Sequence, residues 1–151
     1  MATTFDDIID MALVTIQDYK LNELYTTSQA NFETITEGFL LRGLPKFNTC
    51  RQSLAYDLST RTFVSTFTPL EVAILSDLWV EEWFEYQVNN VTQFNGKMTT
   101  SDFKHYSEAE NLKQKSEYLD KLREKRSQEM TNYDYGDGSM WTNWANGVFF
   151  A

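Results

Sequence analysis

The sequence predicts a mostly α-helical fold: a small helical bundle with two long helices, room for a short β-hairpin before them, and an extended C-terminal tail. Three observations point there. Apolar residues recur at helical spacing near the N-terminus, a Thr-Pro-Leu-Glu start signal opens a long apolar run, and a long charged run follows it. With six Gly and two Pro in 151 residues, little breaks these segments.

The first helix is read from Phe5, Ile8, Ile9, Ala12, Leu13, Ile16 and Tyr19, which form one apolar stripe. Thr4 is placed to cap it, with Asp7 three residues on and Asp6 favourable against the helix dipole. Lys20 to Thr27 breaks the period and reads as a connection. A second helix is expected from Gln29 to Leu41, with Phe32, Ile35, Phe39 and Leu40 inward. Gly43 then offers a left-handed exit, and Pro45 blocks continuation. Cys50 to Ala55 could add one helical turn, and Tyr56 to Phe67 is β-branched and aromatic enough for a strand pair or an irregular loop.

Thr68-Pro69-Leu70-Glu71 is the clearest boundary. A threonine N-cap, a proline at the first helical position and a glutamate at the third make a capping box. The helix it opens is expected to end near Phe94, before Asn95-Gly96. From Leu70 to Phe84 it is apolar around most of its circumference, which asks for partners on more than one side, beyond what a lone chain supplies. Asp77, Glu81 and Glu85 form one acidic i, i+4 row on it. A second long helix, from about Ser101 to Tyr133, carries a narrow apolar seam of Phe103, Tyr106, Leu112, Leu119, Leu122, Met130 and Tyr133. Its half beyond Leu119 is polar enough to project. Helical pairs such as Glu117 with Lys121 and Asp120 with Arg123 would support its solvated face.

Two units follow: a helical domain over residues 1–133 and a tail over 134–151. The tail holds Tyr135, Trp141, Trp144, Phe149 and Phe150 and no charge after Asp137. With Tyr133, these aromatics are the expected partner-binding residues, docking as an extended peptide; the alternative is backfolding onto the core.

Composition excludes more than it selects. The chain is formally −9, and the excess lies in residues 1–103, with fourteen acids against six bases. No segment is dense enough in Lys and Arg for phosphate-driven binding. A single cysteine, Cys50, and a single histidine, His105, exclude a disulfide framework and a cysteine-cluster zinc site. Glu81, Glu82, Glu85 and His105 lack the Glu-x-x-His pairs of helix-bundle metal sites, so no cofactor or metal is expected. Cys50 with His105 is a weak nucleophile pairing, and no phosphate loop or other catalytic motif is present, so no enzyme is expected. The acidic N-terminus does not read as a signal peptide, and Val72 to Phe84 is interrupted by Ser76, Asp77, Glu81 and Glu82. The expected setting of synthesis is a cytoplasm, with Cys50 a reduced thiol.

The order of segments carries one resemblance. A short acidic helix leads to Leu40-Leu41-Arg42-Gly43-Leu44-Pro45-Lys46-Phe47-Asn48-Thr49-Cys50. Next come Phe67-Thr68-Pro69-Leu70-Glu71-Val72-Ala73-Ile74-Leu75 and Leu78-Trp79-Val80-Glu81-Glu82-Trp83, then Ser101-Asp102-Phe103-Lys104-His105-Tyr106-Ser107 and a long charged helix. From Phe5 to Tyr133 this resembles the head–tail connector, or adaptor, proteins of tailed bacteriophages. The resemblance implies a virion protein assembled in the host cytoplasm as a homo-oligomeric ring, commonly a dodecamer, beneath the portal protein. It also implies a platform for a downstream neck or tail protein, and a lumen through which genomic DNA passes without specific binding. With it, the acidic row of Asp77, Glu81 and Glu85 is expected to face that lumen or a neighbouring subunit. A negative balance suits such a conduit. The competing reading is a helical interaction module, regulatory or chaperone-like, that binds one client through its tail.

Overall fold

Thr4 opens the first helix as its position predicts. In the computed structural model, which describes residues 2–16, 18–95 and 102–136, Thr4 Oγ1 accepts the Asp7 N–H at 3.2 Å and Asp7 Oδ2 accepts the Thr4 N–H at 2.8 Å. This capping box starts α1 (Phe5–Thr15), which buries Phe5, Ile8, Ile9 and Ala12. The stripe stops short of Tyr19 because Ile16 is extended, at φ −113° and ψ 142°.

The expected connection at Lys20 to Thr27 is instead helical, α2 (Tyr19–Thr27). Asp18 explains the correction: its Oδ1 accepts the N–H groups of Lys20 at 2.8 Å and Leu21 at 3.4 Å. A side-chain cap and one buried leucine, Leu21, hold this nine-residue helix. Ser28 separates it from α3 (Gln29–Gly43), donating back to Leu24 O at 2.8 Å and accepting the Phe32 N–H at 3.0 Å.

Along α3, Phe39 and Leu40 are buried as expected, but Ile35 is exposed and Thr36 takes the inward place. The Thr36 hydroxyl returns its hydrogen bond to Phe32 O at 2.8 Å, so burial leaves it satisfied. Gly43 is right-handed, at φ −73° and ψ −33°, and the chain tightens into a 3₁₀ turn at Leu44–Lys46 rather than leaving through a left-handed residue. What glycine supplies here is proximity. A Cβ on Gly43 would lie 3.3 Å from Leu78 Cβ on the facing helix.

Cys50 to Ala55 forms bends and extended chain, not the extra helical turn. The hairpin exists in minimal form: β1 (Tyr56–Asp57) pairs antiparallel with β2 (Thr62–Phe63), Tyr56 opposite Phe63. Thr3 and Thr4 add to it, with Phe63 N donating to Thr3 O and Phe5 N to Arg61 O, both at 2.9 Å. Arg61 sits at the hairpin tip with φ 54°. Its guanidinium reaches Asp6 at 3.0 Å and Glu37 at 2.5 Å, which fixes the tip to α1 and α3.

The central element is α4 (Pro69–Asn95), against which α1, α3 and α5 (Asp102–Tyr135) pack. Ile74, Leu75, Leu78, Trp79 and Val80 are all buried in one core with Phe5, Ile8, Leu40, Phe47 and Phe63. The expectation that this helix must borrow partners from other chains is therefore corrected for its central turns: the subunit covers them itself. Leu70 and Tyr86 are its large exposed apolar residues among those described. The projecting distal half of the second long helix is corrected too. Leu119 and Tyr133 are buried there, and Leu122 and Met130 pack against the core. A narrow seam suffices because charged pairs flank it. Among the described residues no helix is long and apolar enough to cross a membrane.

Candidate functional site

Two features stand out above this frame: a set of buried carboxylates on α4, and a groove beside α2. The carboxylates come first because they decide the fate of the acidic row. Glu81 is 2% exposed, and Lys46, Arg123 and Arg126 approach it at 2.9, 3.5 and 2.6 Å. Glu82, equally buried, meets Lys46 at 2.5 Å and Arg42 at 3.1 Å. Glu85 meets Arg123 at 3.4 Å and Asp77 meets Lys125 at 2.9 Å. Asp77, Glu81 and Glu85 thus pair with cations of α5 and of the 3₁₀ turn of their own chain. Their register was legible; their partners, 35 to 48 residues away, required the docking of α5.

Burial opposes the charge on Lys46, but its hydrogen bonds to Glu82 and Glu81 outweigh that and raise its pKa above the ordinary lysine value. Lys125 is raised as well, chiefly by its bond to Asp77. The cations are therefore held charged as braces. Of the helical pairs expected on the solvated face, Asp120 with Arg123 forms at 3.7 Å, whereas Glu117 meets Lys113 at 4.0 Å.

Glu71 joins both ends of this frame. One oxygen, Oε2, closes the α4 capping box, accepting from Thr68 N at 2.7 Å, while the other accepts the Tyr133 hydroxyl at 2.5 Å. The Arg51 N–H donates to that same hydroxyl at 2.9 Å, and the Arg51 guanidinium lies 4.5 Å over the Tyr133 ring. Tyr133, expected to bind a partner, is instead a core residue that clasps the end of α5 to the start of α4. Burial, then the Glu71 carboxylate, pushes its phenol up to about 12. Cys50 lies beside this clasp, Sγ 4.0 Å from Glu71 Oε1, and burial raises its thiol above the usual range. That environment disfavours thiolate at neutral pH.

A test follows from the sign of the Tyr133 shift. Its folded pKa exceeds the ordinary value near 10, so the clasp contributes stability fully below that value and loses it as pH rises toward 12. In a spectrophotometric titration of the eight tyrosines, one is expected to ionise near pH 12. Tyr133→Phe should abolish that step and flatten part of the alkaline stability loss. The remainder should come from Lys46 and Lys125, whose raised pKa values act in the same direction.

The groove lies between α1, α2 and α3, with a volume of about 690 Å³. Leu13, Ile16, Leu21, Tyr25 and Phe32 line it, together with the polar Asp10, Asp18 and Asn22. Asp18 is multiply used: besides capping α2, its Oδ2 accepts Trp83 Nε1 at 3.0 Å and Gln87 Nε2 at 3.1 Å. Tyr25 stacks edge-on against Phe32 at 5.2 Å yet stays exposed, and Val14 nearby in sequence is the most exposed large apolar residue described. Reading Lys20 to Thr27 as a connection hid this groove. The signal that could have found it was Asp18 as a cap, followed by Leu21, Leu24 and Tyr25 at helical spacing.

Tyr135 is exposed at the end of α5, while Trp141, Trp144, Phe149 and Phe150 lie outside the described residues. The expected boundary at residue 133 falls inside α5, which continues to Tyr135. Among the described residues no group of His, Cys, Asp and Glu is arranged to hold a metal ion. No family model, curated protein or solved structure matches the chain.

Proposed function

We propose that this chain is a structural head–tail connector (adaptor) subunit of a tailed-phage virion. Copies form a ring, with twelve expected, below the portal. The ring extends the DNA channel and presents a platform to the next neck or tail protein. One observation carries the reading: the segments that resemble connectors are also those that build the rigid frame. The Leu40–Cys50 segment supplies Arg42 and Lys46, Thr68–Glu71 supplies the cap and half of the clasp, and Leu78–Trp83 supplies the core tryptophan and two buried carboxylates.

Such a frame suits a component whose work is positional. Its charged groups brace α5 against α4, and its thiol is suppressed. The tail aromatics and Tyr135 then act as the coupling element, toward the portal or a neighbouring subunit. DNA in the lumen meets a chain of net charge −9 and is not retained.

Electron microscopy of the full chain mixed with purified portal tests this. A ring of added density coaxial with the portal is the expected result. A chain that remains monomeric or dimeric beside free portal would favour the single-client module and sink the connector reading. Truncations used alongside must begin after Gly136, since removal from Asn132 would take the Tyr133 clasp with it.

A further inference from the structure

We infer that residues 127–136, the last turns of α5, are a strap that undocks from the bundle as a unit, with the Glu71–Tyr133–Arg51 clasp as its catch. It rests on the connector reading only for what the strap carries; the docking equilibrium itself is independent of any ring.

Two stretches of α5 are held to the bundle in different ways. Leu119 is buried, and Arg123, Lys125 and Arg126 reach Glu81, Glu85 and Asp77, so residues 119–126 are fastened by several separate contacts. Beyond Arg126 the fastening thins. Tyr133 is the one buried residue of 127–136, Glu129 and Met130 are half-buried, and the other seven are exposed. Undocking therefore forfeits one buried ring and little other apolar area.

Glu129 does not act as a second catch. It pairs with Lys125 of its own helix at 3.4 Å, while Asp77 on α4 binds the same ammonium at 2.9 Å. Burial and then the Asp77 carboxylate raise the Glu129 carboxyl above its ordinary value, so docking works against its ionised form.

The catch is compact. The Tyr133 hydroxyl donates to Glu71 Oε1 at 2.5 Å and accepts the Arg51 N–H at 2.9 Å, and its ring lies 5.3 Å from Phe47. The Arg51 guanidinium also donates to the Tyr133 carbonyl oxygen, satisfying a helix-end acceptor. Release does not strand Glu71. Its other oxygen still accepts from Thr68 N at 2.7 Å and Thr68 Oγ1 at 3.0 Å, so the α4 cap survives. An open strap is thus compatible with an otherwise intact core.

The tail sequence begins where the strap ends. A docked strap fixes the tail's origin beside Glu71, and an undocked one adds residues 127–136 to its reach. On the connector reading, this slack lets the tail meet its partner while the core stays rigid.

Amide exchange of the full chain without portal, followed by NMR across low urea concentrations, tests the strap apart from ring formation. The Arg51 amide reports directly, because its acceptor is the Tyr133 hydroxyl. A detached helix of ten residues is too short to keep its own hydrogen bonds, so the amides of residues 130–135 report the same event. Arg51 and residues 130–135 are expected to share one opening free energy and one shallow urea slope. Leu78 and Trp79 should follow global unfolding with a steep slope. Tyr133→Phe should speed exchange at residues 130–132 by about tenfold or more, from the lost bond to a carboxylate. Tyr135→Phe should leave it unchanged, since Tyr135 is exposed. Protection that fades residue by residue along 130–135, with Arg51 still matching the core, would mean simple fraying and overturn the proposal. So would a Tyr133→Phe variant in which residues 130–132 gain no more than Leu78 does. If that variant fails to fold, the slopes of the unsubstituted chain decide alone.

Discussion

Lys46→Met is expected to destabilise the protein by about 3 kcal/mol, a cost set by the carboxylates it leaves behind. Glu81 and Glu82 are each 2% exposed, and Lys46 touches both. Methionine can replace the aliphatic stem but not the charge. Arg42 remains for Glu82, and Arg123 with Arg126 for Glu81, so the loss falls at the lower end for breaking a buried pair. Urea denaturation is the measurement. Lys46→Arg should recover much of the loss. Lys46→Met combined with Glu82→Gln should cost less than the two single changes added, because the uncompensated charge is gone. Raising salt should do little, since the carboxylates are shielded from mobile ions by burial. A loss under about 1 kcal/mol would mean that the three arginines carry both carboxylates unaided.

The same residues show what the sequence could and could not convey. Thr4 with Asp7 and Thr68 with Glu71 were legible because a capping box is a contact three residues long, complete within its own segment. Helix α2 was not, since its apolar spacing, Leu21, Leu24 and Tyr25, covers only five residues and its start depends on the Asp18 cap. On α3 the helix was legible but its rotation was not. Ile35 and Thr36 differ by one position, and the choice between them is made by Trp79, which donates to Thr36 O from the facing helix. The acidic row on α4 was visible as a row. Whether it faced inward depended on cations on α5 and the 3₁₀ turn, whose arrival is a tertiary event. Reading α5 as too polar to be buried missed that its polar residues are themselves the ligands of buried charge. Burial follows from pairing here, not from hydropathy alone.

Trp79→Ala is expected to have the largest effect of any single change, about 4 kcal/mol of lost stability. The indole is fully buried, packs edge-on against Phe39 at 5.4 Å, and donates Nε1 to Thr36 O at 2.7 Å. It therefore fixes the distance between α3 and α4 and the rotation of α3 together. Truncation opens a cavity at the meeting point of the two helices that also hold Gly43 against Leu78. Trp79→Phe should cost roughly half as much, since a ring still fills much of the space while the bond to Thr36 is lost. Near-UV circular dichroism and urea denaturation give the readouts. The contrast with Trp83 tests the packing argument itself. Trp83 is only partly buried, and its Nε1 ends on Asp18 beside the groove. Trp83→Phe is thus expected to loosen α2 and the groove with a smaller global loss, seen as faster amide exchange in residues 19–27 than in α4. If both substitutions destabilised the whole chain equally, α2 would belong to the same cooperative unit as the core, and the groove would be as rigid as the frame beneath it.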